Sequence, residues 1–221
     1  MLFDPRLTGH ARRAQAADAL IAATVEMADT PRPLMRRVVP DDGLHIWDHY
    51  PPDDAIDRTT KSRWFYHAHP PEERREGEHG HFHIFLDRKT FAGIAPVAGP
   101  LSPKKSDARV VHIAALTIDL AGLPTGLFTV NRWVTDEWLF DADAIVDRLP
   151  RFDLSKANGD RLVSRWLTAA VATFAPEIEQ ILRARDVAIK DEPPSFFEDR
   201  SAEILSSVDL DLQRCVTQLD R

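Results

Sequence analysis

The sequence contains a dense cluster of histidines that could bind a transition metal. Five of its nine histidines lie within 17 residues and form two groups: His67 and His69, then His79, His81 and His83. Imidazole nitrogens are common ligands of zinc, copper and iron. We therefore expect at least three of these five residues to bind one metal ion.

The spacing of the two groups indicates which side chains face each other. Side chains alternate between the two faces of a β-strand, so residues two apart point the same way. Residues 70–78 are rich in Pro, Gly and charged residues, which predicts a hairpin loop centred on Arg74. Such a hairpin pairs His69 with His79, His67 with His81, and Phe65 with His83. Paired Cβ atoms lie about 4.5–5.5 Å apart, within reach of a shared ion, whereas a shift by one residue would separate the groups.

Two further residues are candidates for catalysis at this site. His112 is the one ionisable side chain in the apolar run 110–118, and a turn near Gly122 would place Arg132 opposite it. We expect His112 and Arg132 to orient metal ligands or to bind an anion. For Arg132 the alternative is a structural salt bridge to a nearby acid, namely Asp119, Asp136 or Glu137.

Short motifs around the histidines resemble sites of three known families. The stretch 79–85, His-Gly-His-Phe-His-Ile-Phe, resembles the signature of histidine-triad nucleotide hydrolases and transferases. That resemblance implies nucleophilic attack on a phosphate by His81, although Gly80 replaces an apolar residue and His67 and His69 have no role in that family. A His-x-His pair on a strand is also similar to cupin and carbonic anhydrase sites, but Asp87 stands where a cupin glutamate would be expected.

A longer likeness covers roughly residues 45–135. Its motifs are Tyr-His-Ala-His-Pro at 66–70, Glu-His-Gly-His-Phe-His at 78–83 and Asn-Arg-Trp-Val-Thr at 131–135. Together they resemble a bacterial family of domains of unknown function. This resemblance implies no activity, so the chemistry has to be inferred from the residues.

The pattern along the chain predicts an α+β fold. It indicates an N-terminal helix at 8–28, a β core at about 35–136 and C-terminal helices at about 141–219, within one domain of residues 1–221. The β core would be an antiparallel meander of about four strands with helices packed on one face. We expect a possible short strand at 35–39, main strands at 63–69, 79–86, 110–119 and 127–135, and a final helix that begins at Ser195. The face opposite the histidines is apolar, so Trp64, Tyr66, Phe82 and Ile84 should be buried under a C-terminal helix.

Composition limits the classes of function. The 221 residues carry 28 Lys and Arg against 35 Asp and Glu, a formal net charge of −7, which argues against a nucleic-acid partner. The single cysteine excludes an internal disulfide and cysteine-rich zinc sites. The sequence shows no signal peptide or membrane-spanning segment, so we expect a cytoplasmic protein with no membrane partner.

The sequence therefore predicts a histidine-rich transition-metal protein. Iron, copper and zinc all suit ligands that are entirely nitrogen, and the sequence does not choose among them. The protein would be a metal-dependent oxidoreductase or hydrolase acting on a small molecule. Two alternatives stay open: a histidine-triad-like nucleotide hydrolase or transferase, and a non-enzymatic protein that buffers or senses metal.

Overall fold

The protein forms one six-stranded antiparallel sheet with helices packed against it. The computed structural model describes residues 3–4, 7–101 and 109–219. The strands are β1 (Tyr50–Ile56), β2 (Arg63–His67), β3 (Glu78–Asp87), β4 (Val110–Asp119), β5 (Pro124–Val130) and β6 (Ile204–Asp209). They lie side by side in chain order, and all five neighbouring pairs are antiparallel. The predicted α+β class is confirmed.

Within the described residues, seven α-helices precede, interrupt and follow the strands of the sheet. They are α1 (Gly9–Ala28), α2 (Leu34–Val38), α3 (Arg132–Thr135), α4 (Ala142–Val146), α5 (Arg161–Thr173), α6 (Ala175–Ile189) and α7 (Leu212–Leu219). Asp160 begins α5 by accepting hydrogen bonds from the N–H groups of Leu162 and Val163. Pro176 stands in the first turn of α6, where its missing N–H costs nothing, so the chain restarts as a new helix. Within the described part of the chain, no helix is long and apolar enough to cross a membrane.

The structure corrects several sequence predictions. The sheet has six strands and not about four, because β1 and β6 were not predicted. Residues 34–38 form α2, not a strand, and β5 ends at Val130, not at residue 135. The expected final helix from Ser195 is instead a short 3-10 turn at 194–198, then β6, then the eight-residue α7.

The apolar face of the sheet is buried as predicted. Trp64, Tyr66, Phe82 and Ile84 all belong to the main hydrophobic cluster, together with residues of α1, α5 and α6. Phe82 is fully buried, and its ring contacts the rings of Trp64, Tyr66 and Trp166, the last of these on α5. The sheet therefore directs its other face, which carries the histidines, away from α1, α5 and α6.

Replacing Phe82 by alanine should strongly destabilise the fold. The change removes a large side chain from a site with no solvent exposure, so we expect the free energy of unfolding to fall by about 3–5 kcal/mol. Urea denaturation followed by circular dichroism measures this loss. Val187→Ala on α6 is the control: Val187 is 76% exposed, and its truncation should change the free energy by no more than about 0.5 kcal/mol. A cost for Phe82→Ala as small as the control's would contradict the packing described.

Candidate metal centre

Three histidines from two neighbouring strands meet at one point. The pairing of β2 with β3 sets Phe65 opposite His83 and His67 opposite His81, so the predicted register is confirmed for these two pairs. His67, His81 and His83 are all buried. Their Nε2 atoms approach one another, with 2.7 Å between those of His67 and His81 and 3.3 Å between those of His83 and His67. Among the described residues, these three are the one group of His, Cys, Asp or Glu residues found close enough together to hold a metal ion.

The spacing of these nitrogens suits a single ion. Two imidazole nitrogens bound about 2.1 Å from one metal, at angles between 90° and the tetrahedral value, lie roughly 3.0–3.4 Å apart. The observed separations of 2.7 Å and 3.3 Å lie at or just below that range, so small side-chain rotations would suffice to bind an ion. The three histidines could therefore hold one metal ion.

Hydrogen bonds on the far side of two imidazoles hold Nε2 toward the centre. The Nδ1 atom of His81 lies 3.0 Å from Oε1 of Glu78, and the Nδ1 atom of His83 lies 2.9 Å from Nε2 of His112. A partner at one ring nitrogen fixes the tautomer and orientation of the ring, which leaves the other nitrogen free for a metal. His112 thus contacts the outer nitrogen of His83, and Glu78, which the sequence analysis did not predict, contacts that of His81.

Two irregularities in strand pairing place Glu78 and His112 on the histidine face. The β3–β4 register shifts between Glu78 and Gly80, and again between Ile84 and Phe85, so that Phe85 lies opposite His112. In a regular ladder, Phe85 would lie opposite Ile113. A bulge re-aims the side chains beside it, and bulges are common near active sites.

The first of these shifts removes His79 from the cluster. Its Nδ1 atom lies 2.5 Å from the hydroxyl of Tyr66, a residue of the buried apolar face. Gly80 makes this approach possible, because a Cβ atom there would lie only 2.5 Å from the Tyr66 hydroxyl oxygen. The structure does not bring His79 together with the other four histidines of the sequence cluster.

His69 borders the centre without joining the three converging nitrogens. It follows the end of β2, and its ring centroid lies 5.1 Å from those of both His67 and His81. The indole of Trp47 packs on its ring at a centroid distance of 4.4 Å, and Glu73 lies 3.8 Å from its Nδ1 atom. His69 therefore belongs to the rim of the site in this conformation.

Arg132 forms structural salt bridges, which was the alternative to a role in catalysis. Strand β5 ends at Val130, and Arg132 is the first residue of α3. The side chain of Asn131 caps this helix by accepting a hydrogen bond from the N–H of Arg132. The guanidinium is buried and forms ion pairs with Asp136 and Glu198. It is not paired with His112, because β5 ends at Val130 and its described pairing with β4 does not reach His112.

Burial lowers the pKa of four imidazoles in and beside the site. Desolvation lowers the pKa of His67 to about 2 and that of His83 well below its ordinary value, and neighbouring histidines lower both further. Desolvation, followed by the positive charge of Arg185, lowers the pKa of His112 to about 3. Desolvation is also the main cause that lowers the pKa of His69 to about 4. Neutral imidazole is the form that binds metal, so His67 and His83 can bind a metal at pH 7 without first losing a positive charge.

A cavity of about 350 Å³ opens beside the histidines. His67 and His83 border it on one side, and Phe65, Phe85 and Val110, which form a small apolar cluster on this face, line its wall. Residues 134, 135 and 137, in and just after α3, contribute to the opposite wall. His49 stacks on Phe65, with nearly parallel rings whose centroids lie 3.7 Å apart. A small molecule in this cavity would meet two of the three candidate ligands.

Comparison with known proteins yields one match. The model of a family described as "Domain of unknown function (DUF6969)" matches residues 14–210, which confirms the resemblance to a family of this kind. No curated protein and no solved structure matches the chain.

Proposed function

We propose that this chain, which belongs to the family of domains of unknown function DUF6969, binds one transition-metal ion through His67, His81 and His83. The observation that carries the proposal is the convergence of three buried Nε2 atoms, with separations of 2.7 Å and 3.3 Å along two sides of the group. Protonation of buried, clustered imidazoles destabilises the folded chain, because it places positive charges close together and away from water. A metal ion that requires neutral nitrogen ligands turns this arrangement into a binding site.

We further propose that the bound ion acts on a small molecule. Three protein ligands leave at least one coordination position for water or substrate, as in catalytic zinc sites. The cavity bordered by His67 and His83 supports an open position on that side. A metal there would supply a Lewis acid or a redox centre. Glu78 and His112 would hold the imidazoles in place, and the apolar wall would limit access of water.

The ligand set leaves iron, copper and zinc as candidates. All three accept imidazole nitrogen, and none of the three converging side chains is a thiolate or a carboxylate that would favour one of them. The choice between hydrolytic and oxidative chemistry depends on this identity. The metal must therefore be determined before a reaction is assigned.

Elemental analysis of protein purified without a histidine tag tests the proposal. We expect one iron, copper or zinc ion per chain, or uptake of one equivalent when the apoprotein is titrated with each metal. His83→Ala should lower the content well below one equivalent. His45→Ala is the matched control, because His45 is an exposed loop histidine and its loss should change nothing. A wild-type protein that takes up none of the three metals would overturn the proposal.

Further measurements separate the two alternatives. A metal-buffering or sensing protein would bind the ion but convert no substrate, whereas an enzyme would lose turnover when a chelator removes the metal. A nucleotide transferase would need no metal and would form a phosphorylated or nucleotidylated His81. His81 is only 3% exposed, and both of its ring nitrogens contact other side chains, so this alternative has less support.

A further inference from the structure

We infer that the cavity beside the histidines binds a small carboxylic acid with an aromatic body, with its carboxylate on Arg63 and its ring against Phe65 and Phe85. This inference names a substrate class for the same site and so rests on the proposed metal function. Three features of the cavity carry it: its shape, an unused hydrogen-bond donor at one end and the histidines at the other.

The cavity has the dimensions and lining of a small-molecule site. Its volume of about 350 Å³ lies at the lower end of the range typical of ligand pockets. Phe65 and Phe85 are buried, and their rings lie within 30° of parallel with centroids 5.6 Å apart. Together with Val110 they form an apolar wall, against which a planar ring packs better than a branched or strongly polar group.

The guanidinium of Arg63 lies at the other end of this wall and has an N–H donor that no described residue accepts from. Its Nη1 atom lies 3.4 Å from Asp54, which is a weak contact. Its Nε atom is buried and has no hydrogen-bond partner among the described residues. A buried donor left without an acceptor is costly, and guanidinium groups bind carboxylates through two parallel hydrogen bonds. A ligand carboxylate would provide the missing acceptor.

The acidic neighbour of Arg63 does not fill this role. Asp54 divides its contacts between Nη1 of Arg63 and Nδ1 of His49, at 3.4 Å and 3.2 Å. Its carboxylate therefore contacts Nη1 of the guanidinium and leaves Nε without an acceptor. An anion at that edge completes the fork of Arg63 without displacing Asp54.

The strand fixes the order of these groups along the ligand. Arg63, Phe65 and His67 are alternate residues of β2, so they point to one face at steps of about 6.6 Å. Phe85 lies directly across from Arg63 and His83 across from Phe65. A molecule that runs along this row would meet the cation first, the aromatic wall next and the candidate metal ligands last. An arylalkanoic acid, in which a short alkyl chain joins an aromatic ring to a carboxylate, spans this row when the side chain of Arg63 bends toward Phe65.

The test uses 3-phenylpropionate as the probe, with its neutral amide, phenethylamine and acetate as comparison compounds. Cobalt(II) is loaded into the apoprotein because its visible spectrum reports changes at a bound ion. Calorimetry measures affinity, and elemental analysis measures metal content in every sample. The key variant is Arg63→Gln, which removes the charge but keeps a polar side chain. Arg165→Gln is the matched control, because Arg165 pairs with Glu26 on the helices.

We expect 3-phenylpropionate to bind and to shift the cobalt spectrum. Arg63→Gln should bind cobalt normally but bind the probe about 10- to 100-fold more weakly, as expected for loss of a charge-assisted pair. Arg165→Gln should match the wild type. Equal binding of the amide or the amine would overturn the inference, because the carboxylate would then play no part. Equal binding of acetate would overturn it too, because the aromatic wall would then contribute nothing.

The same experiment separates the failure of this inference from the failure of the proposed function. If the protein takes up no cobalt, zinc, iron or copper, the metal proposal fails. The probe is then titrated into the metal-free protein. Binding that Arg63→Gln weakens would still support the carboxylate pocket, whereas no binding to either form would overturn it.

Discussion

Replacing His81 by alanine should abolish metal binding while leaving the protein folded. His81 provides one of the three converging nitrogens, and its Nε2 atom lies 2.7 Å from that of His67. Loss of a residue that only orients a ligand costs about 10- to 100-fold in metal affinity, so loss of a ligand itself should cost at least about 100-fold. Titration with zinc(II) or cobalt(II) against a competing chelator measures the change. Circular dichroism checks that the variant is folded.

Two further variants test whether the loss arises from ligation. Glu78→Gln keeps the shape of the side chain but removes the charge beside Nδ1 of His81, so we expect affinity to fall by about 10- to 100-fold. His10→Ala removes an exposed histidine from α1 and should leave affinity unchanged. The interpretation fails if His81→Ala retains a full equivalent of metal at wild-type affinity. It fails equally if His10→Ala loses metal to the same extent.

The central strands could be predicted because local and global signals agree there. In residues 63–67 and 78–87 an apolar set of side chains alternates with a set that includes the histidines, and the loop between the two strands is turn-like by composition. A period of two together with a short hairpin fixes the register, since any shift by one residue would bury the histidines among the helices. His67 and His81 therefore lie opposite each other as predicted.

The two missed strands conflict with their own local sequence. Strand β1 begins Tyr50-Pro51-Pro52-Asp53-Asp54, which is turn-like by composition, and its register with β2 is irregular between Tyr50 and Ala55. Prolines are tolerated there because β1 is an edge strand. Strand β6 is short, and its apolar residues also fit helical spacing. Its pairing with β5 is a long-range contact that periodicity does not reveal.

The site differs from the sequence prediction because of bulges. Alternation alone predicted that His79 would join His81 and His83, whereas the shift beside Gly80 exchanges His79 for Glu78. A glycine inside a strand is a signal for such a bulge, and it was available in the sequence. Arg132 was misplaced for a related reason: Asn131 is a strong helix-capping residue and ends the strand before it.

The second large effect should appear as an acid sensitivity of the metal-free protein. The pKa values of His67 and His112 are lowered to about 2 and about 3, and that of His83 is also far below 6.5, the ordinary histidine value. Below pH 6.5 the unfolded chain binds protons at these residues, but the folded chain does not. These three groups therefore do not reduce the free energy of unfolding above pH 6.5. Below pH 6.5 they reduce it progressively, until the pH reaches their pKa values in the folded chain.

The expected size of this effect is large. Each histidine contributes up to about 1.4 kcal/mol per pH unit, so three contribute about 4 kcal/mol per unit. Against a typical stability of about 5–15 kcal/mol, the chelator-treated protein should unfold at roughly pH 3–5. Urea denaturation between pH 5 and pH 7.5 measures the slope directly. A bound metal adds stability at neutral pH, because it binds the folded chain alone.

A single variant isolates the contribution of one histidine. His112→Gln retains a group that can accept a hydrogen bond from Nδ1 of His83 but cannot be protonated in this range. The slope of unfolding free energy against pH should therefore decrease by about 1.4 kcal/mol per pH unit between about pH 6 and pH 5. His10→Gln should not change it, since His10 is exposed in the folded chain. Stability that stays constant between pH 6.5 and pH 5 would contradict the burial of neutral imidazoles, and with it the reason to expect these residues as metal ligands at neutral pH.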